Sequence, residues 1–143
     1  MNRYIKFLRM MMRDERFLAN IRHPEAGWKI SRSEVERFIG KDASIRSLAH
    51  QARLMGLSVR WSSAKCIIIK PNPGEALLEL IGEDGYYMGI RAIKTFEKNT
   101  GLDAIRLLES MGYEASLVDY KTPFGTVTRI IRIVKKRRGF EVF

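Results

Sequence analysis

The chain has 143 residues, 45% of them apolar, and 26 basic against 16 acidic side chains give it a formal charge of +10. A chain of this length buries a core without a metal or disulfide staple. Its single cysteine, Cys66, excludes an intramolecular disulfide and suits a reducing, cytoplasmic setting. No apolar run is long enough for a spanning helix. Arg3, Lys6 and Arg9 are spaced through the apolar residues at the N-terminus, so no signal-peptide core is expected, and no membrane partner is assigned.

Residues 2–21 carry the period of an amphipathic helix. Arg3, Lys6, Arg9, Arg13 and Arg16 share one side, while Tyr4, Ile5, Leu8, Met11, Met12 and Leu18 fall mainly on the other. Its basic side has three readings: it lies along a DNA backbone, sits on an anionic membrane, or covers the core or a second subunit with its charges solvated. The Met10-Met11-Met12 run puts the core or dimer reading first. His23-Pro24 ends the helix, Ala26-Gly27 forms a link, and Trp28-Lys29-Ile30 reads as a short extended piece.

Ser33 with Glu36 three residues on makes a capping box that opens a short helix to Ile39, and Gly40 supplies a left-handed stop. After the Lys41-Asp42 turn, Asp42 caps a helix over residues 43–55 that Gly56 halts. Ile45, Leu48, Ala49, Ala52 and Met55 form its apolar stripe. Residues 57–62 and 65–70 are two strands about a Ser62-Ser63-Ala64 turn. Cys66, leading into Ile67-Ile68-Ile69, reads as a small core residue.

Pro71-Asn72-Pro73-Gly74 is the clearest boundary. It separates an N-terminal helix and link (1–27) and a first lobe (28–73) from a second lobe (74–143). That second lobe holds a helix over 75–82, a Gly82-Glu83-Asp84-Gly85 turn, and a stretch over 86–95 ambiguous between strand and helix start. A helix over 102–111 stopped by Gly112 comes next, then a longer hairpin over 113–120 and 126–135. Met55-Gly56 and Met111-Gly112 each close a helix and open a hairpin, with Ala52 and Leu108 at the same offset. Duplication and convergence explain this weak repeat nearly equally. The fold class is α+β.

The charge is unevenly placed. Residues 1–40 hold nine basic and five acidic residues, 41–73 six and one, 74–119 four and nine, and 120–143 seven and one. Such asymmetry suits one face that meets a polyanion and another with a different task. The helix over 43–55 is the best candidate for that face. Arg46, Ser47, His50, Gln51 and Arg53 lie opposite its stripe, and no carboxylate comes after Asp42. A duplex groove offers base-edge donors and acceptors beside phosphates, so a reader helix favours Arg, Gln and Ser over Asp and Glu. Helix, turn, helix and hairpin in this order match a winged helix-turn-helix. In that frame Arg46, Ser47, His50, Gln51 and Arg53 contact bases. Lys41, Ser44, Arg60, Trp61, Ser63 and Lys65 contact the backbone, with the hairpin as wing. The Lys135-Lys136-Arg137-Arg138 cluster adds phosphate contacts or forms a solvated or targeting tail. The corresponding helix of the second lobe turns Asp103, Arg106, Glu109 and Ser110 outward. Its carboxylates repel phosphates, so it is assigned to packing, dimerisation or partner contact.

Two further motifs carry chemistry. Leu77-Leu78-Glu79-Leu80-Ile81-Gly82-Glu83-Asp84-Gly85-Tyr86-Tyr87 resembles the helix of LAGLIDADG homing endonucleases, and the resemblance implies a metal-binding role for Asp84. Glu79 departs from that pattern, which wants a small residue at the helix interface. Asp119-Tyr120-Lys121 at a strand end resembles the acid-x-lysine triplet of metal-dependent nucleases. His23, His50 and Cys66 are too few for an ordinary zinc site. No metal, cofactor or catalytic residue is therefore expected.

The expected function is non-catalytic, sequence-preferring binding of double-stranded DNA, in transcriptional or replication control of a phage or mobile element, by a homodimer. One rival is a protein that inhibits or recruits another macromolecule through residues 74–119 and the apolar Gly139-Phe140-Glu141-Val142-Phe143 end. The other is a metal-dependent nuclease using Asp84 or Asp119, or a domesticated relative of the homing endonucleases.

Overall fold

A computed structural model of the chain describes residues 2–15, 27–82 and 88–136. Among these residues lie six helices and two small antiparallel sheets, a mixed α+β architecture. The chain divides into one unit over residues 1–79 and another over 80–143.

The first unit runs helix α1 (Arg3–Met12), strand β1 (Trp28–Ser31), helices α2 (Arg32–Ile39) and α3 (Ile45–Leu54), then strands β2 (Leu57–Ser63) and β3 (Cys66–Pro71). The strands pair antiparallel in the order β1-β3-β2, so the last strand enters between the first two. Alternation along β3 turns Ile67 and Ile69 inward, with Ile30 and Val59 beside them. Leu8, Val35, Leu48 and Ala52 close the core from the helices. α1 packs against α2 and α3 through Phe7, Leu8 and Met11, as the core reading of its apolar side expects.

Several expected boundaries move. α1 stops at Met12, where Arg13 and Asp14 turn back to the carbonyls of Met10 and Met11; the expected continuation beyond residue 15 lies outside the described residues. The N-cap of α2 is Ser31 rather than Ser33, and its capping-box partner is Glu34. The sequence holds two overlapping Ser-x-x-Glu motifs. Pairing of Ser31 with Cys66, and the bond from the Arg32 amide to the Lys65 carbonyl, select the first. Gly40 ends α2 at φ +129°, not in a left-handed helical conformation. α3 begins at Ile45 under Ser44, whose hydroxyl accepts from the Ser47 amide at 3.2 Å; Asp42 does not cap it. The hairpin turn falls at Ala64-Lys65. Cys66 sits half-buried on the outer face of β3, because the same alternation that buries Ile67 turns it away.

Helix α4 (Pro73–Ile81) joins the units, with its residues through Glu79 belonging to the first. Then come α5 (Ile90–Thr100), α6 (Ala104–Ser110), β4 (Tyr113–Lys121) and β5 (Val127–Lys136), the two strands forming an antiparallel hairpin. Of the ambiguous stretch, the residues from Ile90 on are helical, in a helix capped by Gly101 with Ile93 and Phe96 buried, and Gly89 before it forms a β-bridge; residues 86–87 lie outside the described residues. α6 starts after Asp103, whose carboxylate accepts from the Arg106 amide at 2.9 Å.

The two units repeat one connectivity. Just before α5, Gly89 bridges to Ile130 of β5, as β1 just before α2 pairs with β3. Both second helices close identically. Met55 and Met111 have φ/ψ of −92°/6° and −90°/3°. Gly56 and Gly112 come next at φ +81° and +91°, a conformation that L side chains adopt only with strain.

Candidate nucleic-acid interface

The candidate surface of the first unit is built where the N-terminus of α3, the N-terminus of α2 and the tip of the β2–β3 hairpin converge. A groove of about 640 Å³ there is lined by Arg32, Ala43, Ser44, Ile45, Arg46, Trp61 and Ala64. A second groove of about 540 Å³, lined by Ser31, Arg32, Ser33, Glu36 and Lys65, shares Arg32 with it.

The N-terminus of α3 is held from two sides. Its Ser44 hydroxyl caps the Ser47 amide, and the Ser44 amide donates to the Tyr4 hydroxyl of α1 at 3.0 Å. Buried Leu48, Ala49 and Ala52 fix the rotation of the helix, which leaves Arg46 and Ser47 exposed and His50 and Gln51 half-buried. A helix N-terminus carries partial positive charge, and here an arginine stands beside it.

Trp61 is 41% exposed although it lies in register with buried Ile67. β2 carries the inward face of the sheet beyond the core, and the indole then flanks the groove instead of filling the interior. Lys41, Ser63 and Lys65 are exposed, and the Ser63 hydroxyl accepts from the Lys65 amide at 3.4 Å.

Of the carboxylates near this surface, Glu36 and Asp42 are paired to arginines, and Glu34 is held by Ser31 in the capping box. Glu36 accepts from Arg32 at 3.1 Å. Asp42 meets Arg3 in a two-bond pair at 3.1 and 3.2 Å. The hydrogen bonds from Arg3, with its charge behind them, hold the Asp42 carboxyl below the usual carboxylate range, and Asp42 in turn raises Arg3. Both groups are open to solvent, so salt screens the pair.

Two expected contact residues lie elsewhere. Arg53 donates to the Glu79 carboxylate at 3.0 Å and to the Val59 carbonyl at 3.2 Å, with its side chain only 15% exposed. It ties α3 to β2 and α4 and does not face the groove. Arg60 alternates with Trp61 along β2 and lines a different groove, with Ser58, Ile68, Lys70, Glu75 and Glu79. Adjacent residues of a strand point to opposite faces of the sheet, which separates Arg60 from Trp61. Arg32, absent from the expected contact set, takes a place in both grooves; its signal in the sequence is an arginine at the first position of a helix that leaves a strand.

The second unit offers a different surface. Asp103 is occupied as a cap, Arg106 and Ser110 are exposed, and Glu109 is half-buried. Asp119 lies 3.8 Å from Arg129 across the hairpin. No cluster of three potential metal ligands occurs among the described residues. Asp84 lies outside the described residues, as do Arg137, Arg138 and the Phe140–Phe143 end; Lys135 and Lys136 close β5. Among the described residues no helix is long and apolar enough to cross a membrane.

Comparison of the chain with protein-family models, with curated proteins and with solved structures gave no match.

Proposed function

We propose that the protein binds double-stranded DNA without catalysis and with sequence preference, through a winged helix-turn-helix in its first unit. In this reading α3 is the reader helix and the β2–β3 hairpin the wing. A role in transcriptional or replication control of a phage or mobile element fits that chemistry and the small, basic chain. The observation that carries the reading is the β1-β3-β2 sheet order joined to an α3 N-terminus whose exposed charged residue is Arg46. Arg32 and Trp61 line the groove at that end, Lys65 lines the adjoining one, and Arg3 and Arg32 pair with Asp42 and Glu36. Arg46, Ser47, His50 and Gln51 form the base-reading set. Lys41, Ser44, Arg32, Trp61, Ser63 and Lys65 hold the phosphate backbone. Arg53, bound to Glu79, and Arg60, on a different groove, are left out of both sets.

The test is selection of bound duplexes from a random pool with the full chain, then fluorescence anisotropy on the recovered site at rising salt. Affinity should fall steeply with salt, and Lys65→Ala should reduce the logarithmic salt slope by about 1. Arg46→Ala should cost about 1–3 kcal/mol and relax the preference at one base pair. Unchanged affinity and preference in Arg46→Ala would refute the assignment of α3. The stoichiometry of the complex on the selected site tests the expected homodimer.

A further inference from the structure

The repeated connectivity raises the question of what the second unit does with the same parts. Its α6 has seven residues where α3 has ten, and its outward side carries Asp103 and Glu109. Its hairpin instead is larger, with strands of nine and ten residues against seven and six in the first unit. No residue from Tyr113 to Ile130 is fully buried, and the hairpin meets the rest of its unit at Ile131, which pairs with Leu117, and at Ile130, which Gly89 bridges. Three residue pairs and the turn lie beyond that bridge. At about 3.3 Å per residue the arm extends roughly 10 Å past it before its turn begins.

The turn is tightly built. The Thr122 amide donates to the Thr126 carbonyl at 2.8 Å and the Gly125 amide to the Thr122 carbonyl at 2.9 Å. The two threonine hydroxyls meet at 2.6 Å. This clamp holds out Pro123 and Phe124, the latter 94% exposed, with Val127 at 66% beside them. Lys121, Arg129 and Arg132 are exposed on the strands behind this apolar tip. The one carboxylate of the outer arm, Asp119, faces Arg129, and the sequence continues into Lys135-Lys136-Arg137-Arg138.

An apolar wedge on a rigid two-stranded arm, flanked by cations, has the chemistry of an element that enters the minor groove. There an apolar side chain partly unstacks a base step while basic residues hold the phosphates on either side. We infer that the β4–β5 hairpin is a second DNA-binding element, with Phe124, backed by Pro123, as a wedge that kinks the duplex. Its phosphate contacts are Lys121 and Arg129 on one face of the arm and Arg132 on the other. This inference rests on the DNA-binding reading of the first unit. It assigns that duty in the second unit to the wing and not to the helix. The clamped turn lowers the entropy lost on insertion, because the ring is already presented.

The test uses the full chain on its selected duplex, with end-to-end fluorescence energy transfer for bending and a single 2-aminopurine placed at successive positions for unstacking. The wild type should bend the duplex and raise 2-aminopurine fluorescence at one step. Phe124→Ala should abolish both signals while binding falls by less than about tenfold, since the phosphate contacts persist. Lys121→Ala with Arg132→Ala should lower affinity and the salt slope without restoring stacking. Tight binding with no bend and no unstacked step would overturn the arm and leave the first-unit reading standing. Absence of duplex binding by the wild type would remove both. Sedimentation showing that Phe124→Ala turns a dimer into a monomer would assign the tip to a second copy of the chain and overturn the inference.

Discussion

Glu79 makes the most concentrated use of a single side chain in the first unit. It accepts from the Arg53 guanidinium at 3.0 Å and from the Val59 amide at 2.7 Å, while 27% exposed. Hydrogen bonds to a charged group, once broken, leave a partly buried donor without its partner, which costs about 2 kcal/mol. Glu79→Ala should therefore lower the urea midpoint with little change in slope, and Arg53→Ala should do likewise. On the proposed function, both variants should keep duplex affinity when measured on the folded fraction, because neither side chain lines the groove at α3. Asp42 gives a pH test. Its carboxyl is held below its ordinary range by Arg3, so the pair's contribution is present above that range and fades as pH falls through the depressed value. A carboxyl NMR titration should show Asp42 titrating low in the wild type and moving up toward the ordinary range in Arg3→Ala, short of it because a backbone hydrogen bond at Asp42 also lowers it. None of this residue-scale pairing was legible in the chain. Arg53 has the spacing of a free cation on a reader helix, and its captor lies 26 residues away.

At the scale of elements the sequence was most legible where period and punctuation agreed. α3 shows an unbroken apolar stripe and a glycine stop, and its expected start lies within two residues of the observed one. α5 was not legible as a helix. Tyr86, Tyr87 and the β-branched residues beyond them weakened the helical signal, although Ile93, Phe96 and Gly101 carried it. Local capping rules admitted both Ser31 and Ser33, and only the long-range pairing with β3 separated them. That competition yields a prediction. Ser31→Ala should cost about 1 kcal/mol by removing the cap, whereas Ser33→Ala should be close to neutral, as read by chemical denaturation. The paired turns yield another. Gly56→Ala and Gly112→Ala should each destabilise by about 1–2 kcal/mol, because each forces a side chain into a positive-φ conformation.

For the whole molecule, counting charge by segment was a better guide than counting it in total. The six-to-one basic excess over residues 41–73 coincides with α3 and its hairpin, and the seven-to-one excess over 120–143 covers β5 and the basic C-terminal residues. The intervening acidic stretch contains α4, α5 and α6. The sheet order and the bridge from Gly89 to Ile130, which turn a vague resemblance between halves into a shared connectivity, depend on contacts distant in sequence and could not be read there. The β2–β3 ladder also slips by one residue between Trp61 and Ser63. Chain added at Ser62 can be absorbed by that irregular step, whereas an extra residue before Val59 inverts every side chain downstream in β2. Ser62 is thus a site where a dye or crosslinker could be attached to report on ligand approach while leaving the strands undisturbed.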